Sequence, residues 1–212
     1  MRYACVLIFV LLLGWLPFAT ADTQDAIDPK SVYEMIRLGR TDDLPVEWLQ
    51  ENNFEINDMP VLLIAENGGQ FDTFKYLLEQ GVSPHASYTS SYGYSPLLTL
   101  VDGKYAIHLI RLGADVESTD YRGNFPLQIV LHKKTLLADD IELIRTLIEY
   151  GANVNRRSNN TGSTALHWAA RKSNELYEYF LSVGANERLK NDNGRTPKQS
   201  LAIAQRVKAR NQ

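Results

Sequence analysis

The nine residues Gly162-Ser163-Thr164-Ala165-Leu166-His167-Trp168-Ala169-Ala170 decide the fold. Thr164 is placed to cap free backbone N–H groups at a helix start. Ala, Leu, Trp and Ala then run into a helical pattern that ends in Gly184-Ala185-Asn186. A glycine there can take the left-handed conformation that closes a helix.

The same two marks recur in phase. Tetrapeptides of one kind begin at Met59, Ser95, Phe125, Thr164 and Thr196, which are 36, 30, 39 and 32 residues apart. Their forms are Met59-Pro60-Val61-Leu62, Ser95-Pro96-Leu97-Leu98, Phe125-Pro126-Leu127-Gln128, Thr164-Ala165-Leu166-His167 and Thr196-Pro197-Lys198-Gln199. Proline at the first helical turn forfeits no hydrogen bond. The second mark is Gly81-Val82-Ser83, Gly113-Ala114-Asp115, Gly151-Ala152-Asn153 and Gly184-Ala185-Asn186. Between the marks, apolar residues fall at helical spacing, as in Phe71, Phe74, Leu77 and Leu78, or Ile141, Ile144, Leu147 and Ile148. Each unit is therefore a helix pair that buries a face against its neighbours.

The tetrapeptide, the closing Gly-Ala-Asn and a period near the roughly 33 residues of such arrays resemble the ankyrin-repeat family. The resemblance implies an all-α solenoid of stacked helix pairs with β-turn or hairpin fingers. About four full repeats would stand between degenerate caps. The N-terminal cap is the helix pair around Ser31–Leu38 and Leu44–Leu49, and the C-terminal cap is the basic stretch from Pro197 to Arg210. It also implies a role in binding proteins, and for His167 a structural one, hydrogen-bonded to the backbone of adjacent turns.

The units are unequal. Pro96 to Gly113 is 17 residues and Pro126 to Gly151 is 25, against 21 from Pro60 to Gly81 and 19 from Ala165 to Gly184. A shortened helix pair is expected near Asp102-Gly103-Lys104. Extra residues around His132–Ala138 are expected to lengthen a helix or project from the end of the stack opposite the fingers. Asp139 and Asp140 are expected to cap a helix starting near Ile141.

Residues 1–21 obey different rules. Arg2 precedes an apolar run from Tyr3 to Leu16, and Ala19-Thr20-Ala21 has the small-x-small pattern of a signal-peptidase site. The run of about 14 residues is shorter than the roughly 20 that span a bilayer. Cleavage near Ala21 would leave residues 22–212 as one domain, periplasmic or secreted, with no cysteine, since Cys5 is the single cysteine. That suits an oxidising compartment.

The chain has 22 basic and 25 acidic residues, and removing the leader takes away only Arg2. No long basic stripe favours nucleic acid. His85, His108, His132 and His167 form no His-x-x-x-His pair. No nucleophile elbow, phosphate loop or paired-cysteine site is present, so no catalytic residue, metal ligand or cofactor is assigned. Asn159-Asn160-Thr161 matches a glycosylation acceptor, a short pattern with meaning only in a eukaryotic secretory pathway.

A partner-binding surface is expected instead. By repeat position, Leu63, Thr99, Ile129 and Trp168 should share one outward-facing place on successive first helices, with Arg171 a turn beyond Trp168. Covering of these positions by loops or by the inserted segment is the alternative. Trp168 and Ile129 are the expected anchors, tryptophan being enriched among residues that dominate binding. The fingers offer Tyr88, Tyr92 and Tyr94, then Tyr121 and Arg122, then Arg156 and Arg157, then Arg188 and Lys190. Tyrosine brings a broad ring and a hydroxyl at low entropic cost. A tyrosine patch grading into a basic ridge would fit an acidic, partly apolar protein surface. Three roles stay open: a monomeric immunity protein plugging a cognate toxin, an auxiliary of a periplasmic enzyme as in oxidative defence, or a secreted effector engaging host proteins.

Overall fold

A computed structural model describes residues 27–210. The expected leader, its cleavage near Ala21 and the mature start at Asp22 lie outside the described residues. Helix α1 (Pro29–Leu38) has Pro29 at its first position. Asp28 caps it, its carboxylate accepting the N–H groups of Lys30 and Ser31, each at 3.1 Å. Helix α2 (Val46–Glu51) completes this first pair. A short hairpin of β1 (Glu55–Ile56) and β2 (Met59–Pro60) follows. Its turn residues Asn57 and Asp58 both have positive φ, 51° and 63°, the conformation a two-residue hairpin needs and Asn and Asp tolerate.

Helices α3 (Val61–Asn67) and α4 (Phe71–Glu79) form the next pair. A second hairpin, β3 (Ser87–Ser90) and β4 (Gly93–Pro96), leads to a single 3-10 turn at Leu97–Thr99 and then α5 (Gly103–Arg111). The deficit in the short unit thus falls on its first helix. Full pairs resume with α6 (Pro126–His132) and α7 (Ala138–Glu149), then α8 (Ala165–Lys172) and α9 (Asn174–Ser182). Helix α10 (Pro197–Arg210) is the last described element of the stack. Thr196 and Gln199 cap α10 reciprocally, Gln199 Oε1 accepting the Thr196 N–H at 2.9 Å and Thr196 Oγ1 accepting the Gln199 N–H at 3.3 Å.

Four outer helices close alike. Gly81, Gly113, Gly151 and Gly184 have φ between 91° and 103°. The residue after each sends its N–H back into the last turn, Val82 to Leu77, Ala114 to Leu109, Ala152 to Leu147 and Ala185 to Phe180. Each of those residues is also buried. One apolar core runs the length of the stack, with Leu49, Phe74, Ile110, Phe125 and Phe180 at its centre. First helices pack on first helices, α6 on α8 and α8 on α10, while α5 packs on α7 in the outer row.

The extra residues of the third unit lengthen its second helix, 12 residues in α7 against 9 in α4, α5 and α9, and the segment before it is tied to the stack. Lys133 Nζ lies 2.8 Å from Asp102 Oδ1 and 2.8 Å from Asp140 Oδ1, so one ammonium ties the short unit to the long one. Burial pulls the Lys133 pKa down, but its two carboxylates outweigh that and raise it overall. The Lys172 ammonium donates to the carbonyls of Lys133 and Lys134. Helix α7 begins at Ala138, three residues before the expected start. Asp140 is therefore not its cap but its third residue, reaching back to accept the Leu137 N–H at 2.9 Å.

Candidate functional site

Each finger is built by the same local chemistry. Ser83, Asp115, Asn153 and Asn186 follow the closing glycines, and each side-chain oxygen accepts the N–H two residues on. Neighbouring fingers are then laced together. Glu117 Oε1 accepts the Asn153 N–H at 2.8 Å, and Asn155 Oδ1 accepts the Asn186 N–H at 2.7 Å. These pairs lie 36 and 31 residues apart in sequence. Hydrogen bonds thus lace the fingers into a comb.

At its tips sits an exposed aromatic cluster. Tyr92 and Tyr121, from successive fingers, stack with ring centroids 6.1 Å apart and planes inclined by 23°. The Arg122 guanidinium covers the Tyr121 ring at 4.9 Å. Gly93 permits this closeness: its φ is 131°, and a Cβ there would lie 2.9 Å from Tyr121 Cβ. Tyr92 remains 76% exposed and Tyr121 41%. An exposed stack held this way costs little further ordering on binding.

The other tyrosines divide. Strand alternation sets Tyr94, 56% exposed and paired with Thr89, on the hairpin face opposite Gly93 and Ser95. Tyr88, partly buried, pairs with Ser95. Since the Tyr121 N–H reaches Ser95 Oγ at 3.4 Å, Tyr88 belongs to the face turned toward the next finger. The four tyrosines are two surfaces, not one patch.

The basic ridge is also not free. Arg156 Nη1 bonds both the carbonyl and the carboxylate of Glu117 at 2.8 Å, with its guanidinium 4.5 Å above the Phe125 ring. Arg157 Nη2 bonds Asp192 at 3.0 Å. These arginines hold fingers together. Arg188 and Lys190 stay exposed.

On the concave side, the expected outward row is largely covered. Trp168 is 5% exposed, packed against Phe125 at 6.3 Å and edge-on to His132 at 4.9 Å. Thr99 is buried and donates to the Pro96 carbonyl at 2.7 Å. Leu63 and Ile129 are half-buried. Trp168 is thus a wall and not a projecting anchor, because α6 and α10 flank α8. The wall belongs to a groove of about 610 Å³ between α8 and α10. Arg171, exposed, stands on its rim with Arg195, and α10 contributes Ser200, Ile203, Ala204 and Val207. Sequence reasoning missed the α10 residues, whose spacing of three, one and three would have revealed a single helix face.

His167 is 2% exposed. Its Nδ1 accepts the Thr164 N–H at 3.2 Å, which leaves Nε2 to donate to the Arg195 carbonyl at 2.9 Å. Burial holds its pKa below the ordinary histidine value, Arg157 adding to the effect and the Arg195 carbonyl opposing it. Among the described residues no group of three or more His, Cys, Asp or Glu could hold a metal ion. Nor is any described helix long and apolar enough to cross a membrane.

A family model described as ankyrin repeats, in three copies, matches residues 104–191 and 131–208. An ankyrin repeat protein of Acanthamoeba polyphaga mimivirus is 40% identical over 60 residues, 28% of this chain and 8% of the relative. The 2-5A-dependent ribonuclease of Homo sapiens is 41% identical over 76 residues, 35% of this chain and 10% of the relative. The chain thus spans a tenth or less of these two curated relatives. Among solved structures, it is similar to a chain in that of a predatory endopeptidase from Bdellovibrio bacteriovorus in complex with an immunity protein. The TM-score is 0.60 and the identity 20%, covering 84% of this chain and 93% of that one.

Proposed function

This chain belongs to the ankyrin-repeat family, and from that premise we propose that it is a non-enzymatic binding module acting in the periplasm after export. It engages one protein partner through its fingertips and concave face, as an immunity protein that inhibits a cognate toxin. The observation that carries the binding surface is the Tyr92–Tyr121 stack under Arg122, which is aromatic and exposed. Residues of these types dominate binding energy where a partner covers them. The immunity role is supported by an export-like leader, the lack of an assignable catalytic constellation, and the likeness to a chain from an endopeptidase–immunity complex.

Residues 22–212 should capture one stoichiometric partner from periplasmic extract of the native host. A Tyr92→Ala/Tyr121→Ala variant should bind it at least about tenfold more weakly, the scale of one hot-spot residue. Added to the captured enzyme, the wild type should suppress its turnover. Stimulation of turnover would instead establish an enzyme auxiliary. Unchanged affinity of the variant would remove the fingertips from the interface.

A further inference from the structure

The groove between α8 and α10 combines three properties. Its floor is aromatic, formed by Trp168. One side is the apolar face of α10, where Ile203 and Val207 are 42% and 52% exposed, with the small Ala204 between them and Ser200 a turn before. Its charge is of one sign: among the described residues lining it stand Arg171 and Arg195 and no carboxylate, and neither guanidinium has an ion-pair partner among the described residues. The two histidines that line it, His132 and His167, are both held below the ordinary pKa by burial, so near neutrality the arginines alone set the sign. This stands out in a chain of formal net charge −3, in which the finger arginines Arg156 and Arg157 are each paired with a neighbouring carboxylate.

We propose that this groove is the docking slot for an acidic protein segment carrying one large apolar side chain. The apolar side chain lies between Trp168 and the Ile203–Val207 face, and carboxylates on either flank meet Arg171 and Arg195. Guanidinium suits a carboxylate because its fork can donate two parallel hydrogen bonds. Asn191 and Asn193 on the finger edge supply polar groups for the segment's main chain. A nucleic acid fits less well, since two arginines in a chain of formal net charge −3 make no phosphate-tracking stripe. The proposal rests on the binding-module reading above and gives that partner its local chemistry.

The test is selection of randomised heptapeptides displayed on phage against residues 22–212, followed by titration of synthetic winners read by Trp168 emission in a Trp48→Phe background. The winners should pair Asp or Glu with a single Phe, Leu or Trp. They should weaken several-fold between about 50 and 300 mM salt, and lose at least about tenfold in affinity for Arg171→Glu/Arg195→Glu. Both arginines are exposed, and an unchanged thermal midpoint certifies the variant's fold. Winners without acidic bias, winners indifferent to the charge reversal, or no winners at all would overturn the slot. Winners lost only with Tyr92→Ala/Tyr121→Ala would overturn it while leaving the binding module standing. Self-association of the wild type, abolished by the charge reversal, would assign the groove to a second copy and likewise overturn it.

Discussion

Burying an imidazole costs stability unless both ring nitrogens find partners, and His167 finds one on its own helix start and one on the next finger. His167→Ala should cost about 2–4 kcal/mol, from a cavity and two orphaned backbone groups. His167→Gln should cost less, since Gln128 occupies the matching place in α6 and bonds Asn124 at 2.8 Å. Urea unfolding measures both. The pH dependence has a fixed sign. The folded pKa lies below the unfolded value of about 6.5, so on acidification the unfolded chain takes up the proton first. Stability present above that value is therefore lost as pH falls through it, and His108 and His132, also lowered by burial, add to the loss. The thermal midpoint should drop between pH 7 and pH 5, less steeply in His167→Gln. Equal slopes would mean that His167 titrates alike folded and unfolded.

At the scale of elements, glycines serve two purposes that substitution separates. Gly151 has φ 95° with nothing within 4 Å of a Cβ, so Gly151→Ala should cost only the strained backbone, about 1 kcal/mol. Gly68 is helical, φ −79°, yet a Cβ there would overlap the Arg37 carbonyl at the end of α1. Gly68→Ala should therefore cost more, about 2 kcal/mol or above, by prising α1 from α3. The reverse order in denaturant midpoints would show that the α1–α3 contact yields freely. The contrast also marks what the sequence could disclose. Helix closures at Gly81, Gly113, Gly151 and Gly184 were legible because they are local, as was the shortened second unit. The Arg156–Glu117 and Arg157–Asp192 pairs were not, since their partners lie 39 and 35 residues away on other fingers. Trp168 looked outward by its place in the repeat, but α6 and α10 decide its burial. Two adjacent aspartates suggested a cap, whereas Asp140 supports the Leu137 N–H from inside the helix.

For the whole molecule, stability is carried by contacts between neighbouring units. Among the described residues helix α10 has no outer partner, yet it flanks α8, and the finger before it accepts the His167 hydrogen bond. Ending the chain after Gly194 should expose Trp168 and shift its emission to the red. In hydrogen exchange, α8 and α9 should lose protection first, while α3 to α5 keep most of theirs. A uniform loss along the chain would mean that the stack unfolds as one block.

The irregular units have one more consequence. An array of identical rungs could close one place out of step and still satisfy every contact, like a zip fastened a tooth off. Here the single 3-10 turn at Leu97–Thr99 meets a longer neighbour whose Lys133 expects Asp102 beside it. Slipped by one unit, that lysine would lose Asp102 and the short rung would leave a gap. The departures from periodicity therefore act as address labels, giving every rung a single legitimate neighbour.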